Sequence, residues 1–458
     1  MTTILSLSVL GVLVLFLGIL KKKSWLLPLI LAGLGIALCF TMTEWNTGKY
    51  YYHEMILIDH YTVAFSSVMI LSTFLIFSFA SHYYRPVQRP LDDIYAIMIF
   101  ALTGAVMMTS FSNLIMLFLG IETLSIALYV LAGSHKEAIT SNEATLKYFL
   151  LGSFISGFLL FGIALIYGSA RSFNLHEISV FIAGHADQLP PMFLAGLFLL
   201  IAGLAFKIAI VPFHFWAPDV YEGTPTLLTA FMASVVKTAS IAALYRFFSS
   251  TFHGIHGVWE PTLATLAVLT IIIGNLSGLY QPSLKRMLAY SSISHSGYMM
   301  LAIIAFSGRS ANALLFYVLS YSIATIIAFG ILILIRESKG NDLFSSMNGL
   351  AKTNPFLAFC LTIALLSLTG IPPLAGFMAK YYLFTAAMEQ GLLWLVIIAV
   401  MGSAISAGFY FKPIMAMYLK PPEGNPLNAG WPYKAHILLM TILLFIFGLM
   451  PFLIIGLL

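Results

Sequence analysis

The sequence predicts an all-α membrane protein of about fourteen transmembrane helices. Two inverted five-helix repeats are expected within it, with broken helices 7 and 12. Three observations point there. Of 458 residues, 60% are apolar and only 9% are charged, and no stretch is polar and long enough to fold as a separate aqueous domain. The apolar residues fall in continuous runs of roughly the 20 residues that cross a bilayer, whereas a closed barrel alternates apolar and polar positions over shorter segments. A pattern also recurs at an offset of 169 residues, where Glu122-x-x-Ser125-x-x-x-Tyr129 aligns with Ser291-x-x-Ser294-x-x-x-Tyr298.

The first run, 4–20, is followed by Lys21, Lys22 and Lys23. Positive charge after the apolar stretch is the reverse of a signal peptide, so a retained helix with its N-terminus outside is expected. Runs at 25–43 and 61–80 complete an N-terminal three-helix unit, 1–92. The first repeat, 93–248, holds runs at 93–110, 112–133, 145–169, 193–222 and 225–248. The second, 260–417, holds runs at 260–280, 286–306, 310–335, 355–388 and 392–417. A last run, 435–457, lies in a C-terminal unit, 418–458. The same offset pairs Ser141, Ala144, Leu146, Tyr148, Leu150 and Ser153 with Ser310, Ala313, Leu315, Tyr317, Leu319 and Ser322. Five helices are an odd number, so the second copy must be inverted in the membrane.

The seventh and twelfth runs are too long for one straight span. Pro212 and Pro218 interrupt the seventh; Gly370, Pro372, Pro373 and Gly376 interrupt the twelfth. Proline removes a helical hydrogen bond and clashes with the preceding turn. Broken helices at membrane depth are tolerated where they line a cavity or are buried in protein, and in transporters they gather around the transported ion.

Basic residues orient the bundle. Of the 22 Lys and Arg, 14 fall in loops on the side reached after the first helix: Lys21–Lys23, Arg85, Arg89, Lys136, Lys285, Arg286, Arg336, Lys339, Lys352, Lys412, Lys420 and Lys434. That side is expected to be cytoplasmic and both termini periplasmic. The net charge of +5 reflects this bias and implies no nucleic-acid partner.

Glu122, Lys207, Lys237 and Lys380 each stand near the middle of an apolar run. An acid or lysine at the centre of a spanning helix costs roughly 2.5–3.5 kcal/mol and usually marks an ion or proton pathway. A Glu held by an interhelical hydrogen bond, or lysines snorkelling to the interface, are the plainer alternatives. Lys147 lies close enough to a helix start to snorkel. His295 sits among Ser291, Ser292, Ser294, Ser296 and Tyr298, a hydratable stretch in which an imidazole can relay protons near neutral pH. Ser294, Tyr317 and Thr325 are expected to share one wet seam with the buried charges. The two cysteines, Cys39 and Cys360, are isolated and cannot hold a zinc ion or an iron–sulfur cluster. No Gly-rich nucleotide fingerprint is present either, so redox chemistry in this chain is not expected.

Three stretches at these same residues resemble a known family. They are Gly203-Leu-Ala-Phe-Lys207-Ile-Ala-Ile-Val-Pro212-Phe-His214-Phe-Trp216-Ala-Pro218-Asp219-Val-Tyr-Glu222-Gly223, Pro282-Ser-Leu-Lys285-Arg286-Met-Leu-Ala-Tyr290-Ser-Ser-Ile-Ser-His295-Ser-Gly297-Tyr298, and Leu368-Thr-Gly370-Ile-Pro372-Pro-Leu-Ala-Gly376-Phe-Met-Ala-Lys380. In these the chain is similar to the antiporter-like membrane subunits of complex I, the proton-pumping NADH–quinone oxidoreductase, and most to the N type. Lys380 stands where the M type has Glu. The resemblance implies that Glu122 and Lys207 form a first-half pair, with Lys237 as central relay and Lys380 as second-half terminus. It also implies that Lys147 is the functional helix-6 lysine and that His295 belongs to the relay. Flavin, iron–sulfur clusters and the quinone site would then belong to partner subunits, with neighbouring antiporter-like subunits alongside in a bacterial inner membrane. A subunit of a multi-chain cation/proton antiporter is the alternative, and a membrane scaffold without pumping is a third.

Overall fold

The structure, a computed structural model, describes residues 1–19, 25–85, 91–185, 188–423 and 426–458. Lys21–Lys23 and Arg89, counted in the charge bias, lie outside the described residues. α1 (Thr2–Ile19) and α2 (Leu26–Thr43) lead into a short antiparallel hairpin, β1 (Lys49–Tyr51) and β2 (Ile56–Ile58), in which Tyr50 pairs with Leu57. Then come α3 (His60–Tyr83), α4 (Asp92–Ser110), α5 (Leu114–Ala132), α6 (Ile139–Ala170) and a ten-residue helix, α7 (Leu175–Gly184). The predicted seventh run is broken into α8 (Pro191–Lys207) and α9 (Trp216–Gly223). α10 (Thr226–Phe231), a π-helical turn (Met232–Val236) and α11 (Lys237–Ser250) form one continuous helix. α12 (His256–Leu279), α13 (Leu284–Ala305), α14 (Ser310–Lys339) and a single turn, α15 (Leu350–Thr353), follow. The predicted twelfth run is likewise broken, into α16 (Pro355–Thr369) and α17 (Ala375–Glu389), before α18 (Leu393–Leu419) and α19 (Trp431–Leu449).

Every predicted run overlaps one of these helices or broken pairs, although the last, 435–457, extends eight residues past the end of α19 at Leu449. Among the described residues, ten helical units are long and apolar enough to cross a membrane by length and composition. The two broken pairs fall outside that set because each half is short. α1 is a little short as well, and the serines and His295 dilute the apolar character of α13. The hairpin and α7 were not expected. Three-residue strands and a ten-residue helix fall below the length at which a hydropathy reading registers an element.

Helix ends are set by local chemistry. Asn113 caps α5 by accepting from the Ile115 amide at 2.8 Å, and Ser283 caps α13 through the Arg286 amide at 3.2 Å. Gly370 ends α16 at φ 90°, a left-handed conformation that glycine adopts without steric penalty. The 226–250 helix and α14 are enclosed along their apolar lengths and form the centre of the bundle. α2, α6, α18 and α19 turn large apolar side chains outward, as a surface in contact with lipid does. Lys412 of α18 reaches the carbonyl of Leu279, the last residue of α12.

Asp59 ties the N-terminal unit to the centre. It caps α3 by accepting from the Thr62 amide and hydroxyl, both at 2.8 Å, and it accepts from Arg246 of α11 at 2.6 Å. Burial alone would raise the Asp59 pKa. The Arg246 guanidinium and the Thr62 bonds outweigh that and hold it below its ordinary 3.8. A carboxyl depressed in this way stabilises the fold above its unfolded pKa, and the contribution is lost as pH falls through the folded value. Asp59→Asn is expected to lower thermal stability near pH 7 by about 1–3 kcal/mol, the usual penalty for leaving a buried charge without its partner. Melting curves of the membrane complex check this: the gap between variant and native should persist down to about pH 4 and narrow only as the pH falls further. A deficit independent of pH would assign the effect to packing.

Candidate functional site

Glu122 and Ser125 lie one turn apart on α5 and face different partners. Glu122 is half-buried, and its Oε1 accepts from Ser156 Oγ of α6 at 2.5 Å. Ser125 is buried; it accepts from Lys207 Nζ at 2.7 Å and donates to the Ile121 carbonyl at 2.5 Å. Among the described residues Glu122 and Lys207 form no direct ion pair, and Ser125 stands beside the lysine instead. Lys207 is the buried last residue of α8, at the edge of the break.

That break is held open by specific bonds. Ala209 takes a left-handed φ of 56°. The Val211 amide donates to Thr270 Oγ1 of α12 at 3.0 Å, and Trp216 Nε1 donates to the Phe206 carbonyl at 3.1 Å. Ser296 Oγ of α13 donates to the Ile208 carbonyl at 2.6 Å and accepts from Lys237 Nζ at 2.7 Å. Lys237 also donates to the Ser292 carbonyl. One serine of α13 therefore connects the first break to the central lysine, which directly follows the π-helical turn. Such turns recur at functional sites because they redirect the side chains around them.

The second half is built similarly. Lys380 of α17 donates to the carbonyl of Thr369, the last residue of α16, at 2.7 Å, and to Ser403 Oγ of α18 at 2.8 Å. Its ammonium lies 4.9 Å from the centre of the Tyr298 ring, whose hydroxyl accepts from Asn275 of α12 at 2.9 Å. His295 is buried between Tyr317 of α14, 2.7 Å from Nδ1, and Tyr410 of α18, 3.2 Å from Nε2; Tyr410 also bonds Ser291 Oγ. A small cavity bounded by His295, Tyr317, Tyr321, Ser367 and Gly376 has about 10 Å³ open to the centre of a water molecule, roughly the least a single water needs.

Lys207, Lys237, His295 and Lys380 are thus all buried inside the bundle, each bonded to hydroxyls or carbonyls of its own surroundings, with Ser296 joining the first break to Lys237. Glu122, half-buried, stands at their edge. Lys147 lies apart from these groups. It pairs with Glu143 at 2.6 Å and Asp219 at 2.7 Å, in a partly exposed cluster where Asp219 and Glu222 of α9 also hold Arg286. Lys285, beside Arg286, donates to the Glu222 and Thr224 carbonyls at the end of α9 at 3.0 and 2.5 Å.

Tyr317 bonds one of the buried groups, His295, as expected. Ser294 does not: its hydroxyl donates back to the Ser291 carbonyl, and its backbone packs against Gly274. Thr325 is buried one turn beyond Tyr321 on α14, where its side chain interacts with the Tyr321 hydroxyl. Gly104 abuts the Leu124 amide and Gly274 the Ser294 amide, which sets the two helix crossings one residue beyond the 169-residue offset. Tyr410, Ser403 and Asn275 were missed by sequence reasoning. The small-residue run Gly402-Ser-Ala-Ile-Ser-Ala-Gly408 was the available signal, since such residues mark close helix contacts in membranes. Among the described residues no cluster of His, Cys, Asp or Glu could hold a metal ion.

Lysines buried at or beside broken membrane helices, each bonded to a serine hydroxyl, define a class, the membrane subunits that move ions or protons. Residues 112–406 match the family described as NADH:quinone oxidoreductase/Mrp antiporter, transmembrane. The chain belongs to that family. It is 42% identical over 453 residues, 98% of each chain, to the NADH-quinone oxidoreductase subunit N of Cytophaga hutchinsonii. To the subunit of the same name in Flavobacterium johnsoniae it is 41% identical over the full length of both. Among solved structures it is similar to a chain of respiratory complex I from Thermus thermophilus, with TM-score 0.85, 34% identity, and 99% and 98% of the two chains covered. A chain of the Mrp complex from a Dietzia species shares the fold at TM-score 0.87 and 20% identity, with 100% and 96% covered.

Proposed function

We propose that this chain is a proton-translocating membrane subunit of an NADH–quinone oxidoreductase. The observation that carries the reading is the buried set of Lys207, Lys237, His295 and Lys380, with Glu122 at its edge. Each of these buried groups bonds at least one hydroxyl that can take or give a proton, and lysines held only for packing would not be placed beside two broken helices. Residues 93–248 and 260–417 act as the two halves of the path, and 1–92 and 418–458 flank them. Both termini face the periplasm of a bacterial inner membrane. Flavin, iron–sulfur clusters and the quinone site reside in partner chains, with other antiporter-like subunits as neighbours in the bilayer.

Lys207→Ala tests this. In inverted membrane vesicles, NADH-driven acidification is expected to fall by roughly 10²-fold, the low end of what a positioned proton-transfer group contributes, while the amount of assembled complex is retained. Undiminished acidification at normal complex content would refute the reading. Co-purification with membrane antiporter chains alone, without NADH oxidation, would point instead to a cation/proton antiporter.

A further inference from the structure

The surroundings of His295 are asymmetric. Both ring nitrogens face tyrosine hydroxyls from different helices, so the ring is pinned on two sides and cannot turn without breaking both bonds. On the Nδ1 side, Tyr317 borders the small cavity next to the second helix break. On the Nε2 side, Tyr410 is buried and bonded onward to Ser291, one turn before His295 on the same helix. A neutral imidazole carries one N–H and one lone pair, and its tautomer follows from the hydrogen bond each nitrogen makes. Tyr410 has one proton to give. If Ser291 donates to Tyr410, then Tyr410 donates to Nε2 and the ring N–H sits on Nδ1, aimed at Tyr317. If Tyr410 donates to Ser291, the ring N–H sits on Nε2 instead.

We propose that Tyr410 and Ser291 are positioning residues that select the tautomer of His295 and so give the relay its direction, an inference resting on the proton-translocating reading above. With the N–H on Nδ1, a proton entering at Ser291 displaces the serine's proton to Tyr410 and the Tyr410 proton to Nε2, each O–H bond breaking as the next forms, and the Nδ1 proton passes to Tyr317. The Nδ1–H bond breaks, an O–H bond forms on Tyr317, and the tyrosine's own proton moves on into the cavity, which has space for about one water as acceptor. The ring is left with its proton on Nε2 and its lone pair on Nδ1. The Ser291–Tyr410 arm must then reverse before the next transfer, so it acts as the reset element. Tyr317 is the exit side and cannot substitute for that arm, because it lies on the other nitrogen.

The test uses the assembled complex with labelled histidine, reading the tautomer of His295 by difference infrared or nitrogen NMR spectroscopy against a His295→Gln reference. Ser291→Ala and Tyr410→Phe should both shift the tautomer population and lower NADH-driven acidification several-fold. Ser291→Thr, which keeps the hydroxyl, should restore both. If Tyr410→Phe does not assemble, the serine pair alone decides the matter. An unchanged tautomer in Ser291→Ala would overturn the proposal, as would failure of Ser291→Thr to rescue. Absence of acidification in the native complex would instead defeat the functional reading, and the spectroscopic result would still report on the arm.

Discussion

Lys237→Ala is expected to abolish most coupled proton translocation, by roughly 10²-fold or more on the scale of a positioned proton-transfer group. Among the described residues, Lys237 is the charged group bonded to the serine that also holds the first helix break, Ser296, and to the α13 backbone near His295. Its removal separates the first-half lysine from the second-half cluster without touching either. Quinone reduction should slow with it, because a tightly coupled machine cannot run its driving reaction past a blocked step. Acidification by inverted vesicles, normalised to complex content, provides the measurement. Lys237→Arg should recover only in part, since a planar guanidinium cannot reproduce the placement of a compact ammonium. Full acidification in the alanine variant would mean that Lys237 only packs.

Gly376→Ala is expected to lower stability strongly. A Cβ at this position would stand 1.8 Å from the carbonyl oxygen of Ser367 and 2.6 Å from its carbon. Both are backbone atoms in the other half of the broken helix, so neither can rotate away. Overpacking of this kind typically costs about 1–3 kcal/mol. Relief requires α16 and α17 to separate, and that displaces Lys380, one turn further along, from the Thr369 carbonyl. Lower yield of assembled complex and a lower melting temperature in detergent are the expected outcome. A variant that assembles and melts like the native protein would show that the two halves part without penalty.

The buried charges were legible in the sequence because they contrast with the runs around them. Lys207, Lys237 and Lys380 stand out in apolar helices for the same energetic reason that they are buried together here. Tyr410 and Ser403 carry no such contrast. Hydroxyls are cheap to place in a membrane helix, since they can donate to their own backbone, and nothing in the order of residues says which ones turn inward. Ser294 illustrates the limit of pattern alignment. A shift of one residue rotates a helical side chain by about 100°, enough to replace Ser294 with His295 among the buried groups. The breaks were predictable from proline and glycine. The hydrogen bonds from Thr270 and Ser296 that keep the first one open depend on contacts between distant segments.

Three of the lysines here that bond main-chain carbonyls meet them where a helix ends. Lys380 meets the last carbonyl of α16, Lys412 the last carbonyl of α12, and Lys285 the carbonyls that close α9. A helix end carries about half a negative charge through its unpaired carbonyls. Unlike an acid, it cannot take up a proton or swing away. The countercharge facing Lys380 is therefore permanent, and the lysine is the only member of that pair able to change state. It also makes this position chemically one-sided. A glutamate in place of Lys380 would face these oxygens favourably only in its protonated form, donating its O–H to the Thr369 carbonyl.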